Sequence, residues 1–412
     1  MAKGKTLGAN LGGAIDRNAA AIAALQSELE DLRERLDDLD DPPIGPPDDP
    51  PSDDPPPGPG KVVKAESGSQ AHIRAAVARA EPGAVVDIPP GTWTWSDTLV
   101  LKKPVHLRGR GSVFVRRKGP DLRMAILEGD GYRVSGLTFR GTGQSAPKED
   151  TGLTIKGTDF LVWDCRFEWF GWSCLAVKGR KAGVIPKGVI HDCRFANAIQ
   201  DFGLGYGVAI GGHASTYDRP LAPGSGDMVY VEDCRFEDCR HAVDGADAAR
   251  FVFRHNKVVG AGDNASMMSN HGAMLNFRRR ACRWCEFYEN EGASPRRRRW
   301  AGFVIRGGDG VIHNNRVRDT AKFCVIGYEP ISRAATFPGF EPEYPAKDQT
   351  LSLHLWNNRH DGGRAGSLDL LSKRHEPLFT GRDADGKPID VIHFERRPGY
   401  EPFPYPHPMR TS

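Results

Sequence analysis

The chain of 412 residues contains no uninterrupted apolar run of about 18 residues, the length a membrane-crossing helix needs. Its first residues, MAKGKTLGANLGGAIDRNAAAIAAL, carry charged and polar side chains where a secretory leader requires an apolar core, so ordinary export is not expected. Eight cysteines over this length are too few for a disulfide scaffold. The apolar share, 39%, is also low for a single large core. Glycine, by contrast, is abundant: 48 residues, against an average of roughly 7% of a chain.

Charge and proline divide the chain. Residues 1–60 hold 5 Lys/Arg against 13 Asp/Glu, a balance of −8, and the remainder holds 51 against 40, a balance of +11. The apolar positions Leu11, Ile15, Ile22, Leu25, Leu29, Leu32, Leu36 and Leu39 step by threes and fours, with Asn18 on the same seam. This spacing predicts an α-helical coiled coil over 1–40, one too short to be stable unless it self-associates. A parallel oligomer is expected, a trimer in preference to a dimer. Residues 41–60, DPPIGPPDDPPSDDPPPGPG, contain 10 Pro and 5 Asp and read as an extended polyproline spacer.

After Lys61 a repeat sets in: an aliphatic residue, two positions, a Cys or Asn, one position, then usually an apolar residue. Its copies are VWDCRF (162–167), VIHDCRF (189–195), VEDCRF (231–236), FRHNKV (253–258), CRWCEF (282–287) and IHNNRV (312–317), with VSGLTF (134–139) and LWNNRH (355–360) weaker. The column so defined runs Leu137, Cys165, Cys193, Cys234, Asn256, Cys285, Asn315, Asn358. Its irregular period, with β-branched and aromatic runs and no helical periodicity, predicts a parallel β-helix over 61–360 with a cap or tail over 361–412. The Cys/Asn column is expected to be an internal ladder, and glycines are expected at the tight corners. Cys282 and Cys285 form one C-x-x-C, too little for a zinc site.

The segment VVDIPPGTWTWSDTLVLKKPVHLRGRG (85–111) resembles the first coil of pectate-lyase-like right-handed parallel β-helix proteins, and the later coils with their stacked column resemble the same superfamily. With an oligomerising N-terminus, the layout is similar to bacteriophage tailspikes and tail receptor-binding proteins. The resemblance implies an all-β right-handed solenoid in a virion tail that binds an anionic bacterial surface polysaccharide, with other tail proteins as partners of the N-terminus. It implies no cofactor, no nucleic acid and no membrane insertion. Neither the Asp-pair and Gly-His-Gly pattern of polygalacturonases nor the Arg-x-Pro-x-x-Arg pattern of calcium lyases occurs, so activity stays open between a lyase, a hydrolase, a non-catalytic tail scaffold and a bacterial polysaccharide lyase.

A second column follows from SCLAVKG, YGVAIGG, RHAVDG, HGAMLNF, AGFVIRG and KFCVIGY. With Val177, Ile210, Val243, Leu275, Ile305 and Ile326 inward, strand alternation turns Lys178, Gly211, Asp244, Asn276, Arg306 and Gly327 outward. Arg180, His213 and Arg278 follow on the same face, and Arg240 precedes. Lys178, Arg180, Asn276 and Arg278 are expected to bind substrate. Arg240 or Arg306 is expected to neutralise a uronate carboxylate, and His213 or His241, helped by Asp244, to act as base. A hydrolase would need two carboxylates about 5–9.5 Å apart, for which Asp247, Asp201 and Glu329 are candidates beside Asp244. His241, His255 and His271 read as buried structural histidines more readily than as a metal triad.

Overall fold

A computed structural model describes residues 61–116, 123–143, 150–179, 182–199, 204–260, 266–273, 279–294, 301–327, 347–361, 368–370 and 391–411. The coiled coil and spacer expected over 1–60 lie outside these residues, as do Arg180, Asn276 and Arg278.

Each repeat unit is one coil. The copy VWDCRF shows how. Phe160–Trp163 is the end of one strand, Asp164 turns the chain in the left-handed region (φ 50°), Cys165 enters the interior, and Arg166–Glu168 is the next strand. The same left-handed turn recurs at Asp192, Asp233, His255, Glu289, Asn314 and Asn357, and a second series follows at Trp169, Asn197, Asp238 and Asp319. Asp and Asn therefore occupy most positions of these two series, because their short polar side chains tolerate this backbone at small cost, while glycines take other left-handed turns such as Gly131, Gly260 and Gly308. Gly136 (φ 64°) is a corner where only glycine fits, since a Cβ there would lie 1.9 Å from the Gly109 carbonyl oxygen.

The described strands pair in parallel and stack into three faces. The first runs from Val62–Lys64 through Phe160–Trp163, Gly188–His191, Val229–Glu232, Arg250–Arg254, Trp284–Tyr288 and Asp309–His313 to Ile392–His393. The second contains the short strands Arg166–Glu168, Arg194–Ala196, Arg235–Glu237, Lys257–Val259, Glu291–Ala293, Arg316–Arg318 and Arg359–Asp361. The two join into one 20-stranded sheet because His106–Arg116 and Arg133–Arg140 run through the corner between them. The third, of 10 strands, includes Ser173–Lys178, Tyr206–Gly211, His241–Ala246, Ser266–Asn270, Ala301–Ile305 and Lys322–Ile326. Gln70–Arg79 is a helix the periodicity did not suggest, short and with only Ile73, Ala76 and Val77 buried.

The interior is a stack. Phe139, Phe167, Phe195 and Phe236 follow one another with ring centroids 5.1, 5.3 and 4.8 Å apart. Fully burying each such ring contributes about 1.5–3 kcal/mol. Beside it runs the ladder, and here one expectation is corrected: Cys285 is not a member. It sits within Trp284–Tyr288, opposite Phe251 and Gly310, and Asn290 takes the ladder position after the left-handed Glu289. The motif C-x-x-C-E-F imitates C-R-F without the corner residue that defines the phase. Each asparagine oxygen accepts the main-chain N–H of the preceding coil's member: Asn256 N–H to Asn290 at 3.0 Å, Asn290 to Asn315 at 3.1 Å, Asn315 to Asn358 at 3.1 Å. Each amide nitrogen donates in turn to a buried carbonyl, as Asn290 does to Phe253 at 2.8 Å. Buried donors are thereby satisfied at about 1–3 kcal/mol each, the cost of leaving one unmade.

Residues 400–411 return along the outside of the first face and cover its apolar patch of Leu161, Val189, Tyr230, Val252 and Trp284. Two buried groups fasten them. Glu286 Oε2 accepts the Tyr400 hydroxyl at 2.6 Å, and Arg254 donates to the carbonyls of Phe403 (2.7 Å) and Pro404 (2.9 Å). Further along, Tyr405 stacks on His255 with centroids 3.7 Å apart, and Arg410 pairs with Asp192, Glu232 and Asp233.

This strap contains an acid-sensitive end. Burial pushes His407 down to about 4, with Arg254 and His191 adding to the effect and Glu232 opposing it. Because this lies below the unfolded value of about 6.5, the unfolded chain takes up the proton first. The contribution of His407 is therefore complete above about pH 6.5 and is lost as the pH falls from there toward 4. Glu286, whose carboxyl burial pushes up, acts in the opposite sense at the Tyr400 end. Hydrogen-exchange protection factors over 405–411 are expected to drop between pH 7 and pH 5 in the native chain. In His407→Gln the drop is expected to be smaller, the remainder coming from His255 under Tyr405, which burial also pushes down, and an equal drop in both would contradict the assignment.

Candidate active site

The third face carries the titratable residues, and its register decides which of them meet. Val177 lies opposite Ile210 as expected, but Ile210 lies opposite Gly245, not Val243, and Val243 pairs with Val208 and Met268. The slip is two residues, so side chains keep their face. Gly245 explains it. A Cβ there would sit 2.3 Å from the Phe251 ring, so the inward position that looked empty in sequence is filled from the neighbouring face. The expected strand HGAMLNF (271–277) is likewise corrected, since the strand is Ser266–Asn270 and His271 follows its end. In the outward column that begins at Lys178 and Gly211, Ala246 stands where Asp244 was expected. Continued past Asn270, the same register puts His271 where Asn276 was expected.

Asp244 lies in the central outward column, between Ala209 and Ser269. Its Oδ1 accepts the Ser269 hydroxyl at 2.5 Å and faces an Arg306 terminal nitrogen at 3.4 Å, and its Oδ2 faces His271 Nε2 at 3.1 Å. The side chains of Asp244, Arg306 and His271 retain 6%, 13% and 16% of their surface, respectively, so each is largely covered but still reached by solvent. Arg306 is aimed by Asn270. Its main-chain N–H donates to Asn270 Oδ1 (2.8 Å), its Nε donates to the Asn270 carbonyl (2.9 Å), and Asn270 Nδ2 donates to Gly307 O (2.9 Å). Asp244 facing Nε2 favours the His271 tautomer protonated there, which makes Nδ1 the basic nitrogen.

Tyr206 closes the cluster. Its ring stacks on His241 at 5.7 Å, and Arg240 hydrogen-bonds its phenol. Burial pushes that phenol up to about 12, with the Asp244 charge adding and Arg240 and Arg306 drawing it back. At neutral pH Tyr206 is therefore a proton donor. Trp172 meets Tyr206 edge-on at 6.1 Å, and Lys178 Nζ lies 5.0 Å from the centre of the Trp172 ring.

The structure thus brings Asp244, Arg240 and Arg306 together, with Lys178 along the same face. His213 is engaged elsewhere. It caps the short turn Ala214–Thr216, where its Nδ1 lies 2.8 Å from Ser215 Oγ and accepts the Ser215 N–H at 3.3 Å. His241 holds Ser266 through Nδ1 (2.8 Å to its carbonyl), and His255 belongs to the strap contact. The three histidines of the 241–271 stretch therefore serve three separate purposes. Asp247 accepts the Arg280 main-chain N–H, and Asp201 and Glu329 lie outside the described residues. His271, Tyr206, Ser269 and Asn270 were not singled out for catalysis from sequence. The signal available was the tyrosine opening the strand YGVAIG directly beside the strand that holds Asp244.

No family model and no curated protein matches the chain. Among solved structures it is similar to an alginate lyase from Paenibacillus sp. strain FPU-7, with 12% identity and a TM-score of 0.47 over 76% of this chain and 91% of that one. It is also similar to the Dettilon tailspike protein (11%, TM-score 0.46, 77% and 69%). A mannuronic acid specific polysaccharide family 6 lyase from human gut microbiota gives 15% and a TM-score of 0.43, over 75% and 78%. These are likenesses of fold. On its own strand order and internal ladder, the chain is a three-faced parallel β-helix.

Proposed function

We propose that the chain binds an anionic bacterial surface polysaccharide along the third face and cleaves it by β-elimination, in a tailspike-like role. The supporting observation is the placement of His271 Nε2 and Arg306 on the two oxygens of Asp244, beside the Arg240-bound Tyr206. Arg306 and Arg240 neutralise the uronate carboxylate, which makes the hydrogen on the adjacent ring carbon acidic. His271 removes that proton, and Asp244 stabilises the imidazolium that forms. The electron pair becomes the new carbon–carbon double bond as the bond to the glycosidic oxygen breaks, and the Tyr206 hydroxyl protonates the departing oxygen. One carboxylate held between a histidine and an arginine suits this chemistry better than hydrolysis, which uses two carboxyl groups flanking the bond.

Residues 1–40 would self-associate, as a trimer, and attach to other tail proteins, with 41–60 as the spacer. The reading is tested on a panel of polyuronates and host capsular glycans by the ultraviolet absorbance of unsaturated ends. Tyr206→Phe is expected to slow release by about 10²–10⁴-fold with binding retained. Binding to a glycan of the panel without any product from the native chain would leave a non-catalytic receptor-binding protein.

A further inference from the structure

The second face carries a feature that the third-face chemistry does not use. Its strands are short, and the arginine of the C-R-F repeat is the outward residue at the start of each. Register places these positions directly above one another, from Arg166 through Arg194, Arg235 and Lys257 to Arg316 and Arg359, interrupted once by Glu291. A parallel sheet spaces them about 4.8 Å apart, so the ladder extends for roughly 30 Å along the axis. All but Arg194 are exposed, and Arg194 is half-buried.

Carboxylates offset part of the charge. Glu168 pairs with Arg166 and Arg140, Glu237 with Arg194 and Arg235, and Asp361 with Arg316. Lys257 and Arg359 have no ion-pair partner among the described residues. The face therefore keeps a positive excess on either side of Glu291.

At the corner where this face meets the third stands Trp169. It is 42% exposed although large and apolar, and its backbone is left-handed (φ 66°), a conformation costly for a bulky residue. Its carbonyl accepts the Gly143 N–H at 2.9 Å, and its own N–H donates to Ala196, so the neighbouring coils hold it in place. An indole ring held outward in this way is a platform for stacking on the apolar face of a sugar ring.

We infer that the second face is a non-catalytic binding track for an anionic polysaccharide chain lying along the solenoid axis, with Trp169 as a stacking platform at its edge. The inference rests on the proposed substrate class and not on the proposed cleavage. A cation in six of seven successive coils approximates the one carboxylate per pyranose ring of an extended polyuronate, a lower charge density than a nucleic acid presents.

The test uses the full chain and its triple variant Arg235→Gln, Lys257→Gln, Arg359→Gln, all exposed positions, together with Trp169→Gly, which the left-handed backbone accepts. Binding to long alginate is measured against salt concentration, and turnover is measured on short alginate oligomers. The triple variant is expected to bind the polymer about tenfold more weakly at low salt, with a shallower salt dependence. Trp169→Gly is expected to weaken binding without changing the salt dependence, and both are expected to leave oligomer turnover unchanged. Unchanged polymer affinity and salt dependence in the triple variant would overturn the inference, as would native binding to duplex DNA in preference to alginate at equal salt. Polymer binding by the native chain with no cleavage, still lost in the triple variant, would remove the eliminase reading and leave this one standing.

Discussion

Replacing His271 by alanine is expected to lower the rate of polyuronate cleavage by about 10²–10⁴-fold, the usual contribution of a positioned general base, while leaving the melting transition near its native position. His271 follows the end of a strand and retains 16% of its side-chain surface, so its removal opens no core cavity. Asp244→Asn tests the same unit from behind. It keeps the volume and the Ser269 hydrogen bond but removes the charge that supports the imidazolium. Its loss is expected to be comparable and not additive with that of His271→Ala, since the two act as one group. Rates on a soluble polyuronate, with circular dichroism to confirm the fold, check both.

The second large effect concerns stability. Arg254 and Glu232 are both 0% exposed and paired at 2.6 Å, and Arg254 also holds the Tyr288 hydroxyl at 2.9 Å and two strap carbonyls. Arg254→Ala leaves the Glu232 carboxylate buried without its main partner and detaches the strap, a loss of about 3–5 kcal/mol expected in urea unfolding. The double variant Arg254→Met, Glu232→Gln is expected to lose less. It leaves no uncompensated charge, and the glutamine oxygen can still accept the His407 N–H that Glu232 now accepts at 3.0 Å. Equal losses in the two variants would mean that the strap carbonyls, not the ion pair, dominate the energetics.

The fold was legible because its repeat is local. In VWDCRF six consecutive residues specify a strand end, a left-handed corner, a ladder position and the next strand, and the copies that keep the corner residue repeat this in space. Legibility failed where a residue's role depends on another coil. Cys285 read as a ladder member because nothing nearby in sequence shows that Glu289 is the corner. Val243 read as the partner of Ile210, in place of Gly245, because the Phe251 ring that fills the space inside Gly245 belongs to the next strand. From that one slip followed the placement of Asp244 in the wrong outward column, and His271 was hidden because HGAMLNF alternates as well as the true strand does. The site was therefore half visible: Asp244, Arg240 and Arg306 share a face by alternation alone, whereas His271 and Tyr206 join them only through register. The strap was unreadable for the same reason, since GYEPFPYPHPMR has no periodicity and its partners lie more than a hundred residues away.

The central claim is that the Asp244–His271–Arg306–Tyr206 cluster eliminates across a uronate linkage. Its most direct test is mass spectrometry of the oligosaccharides released from a cleaved host glycan by the native chain and by His271→Ala. The account expects every new non-reducing end from the native chain to be an unsaturated uronate, lighter by one water than a hydrolytic end, and expects these ends to disappear in the variant. Saturated ends carrying the full mass of water, or unsaturated ends persisting in His271→Ala, would contradict it.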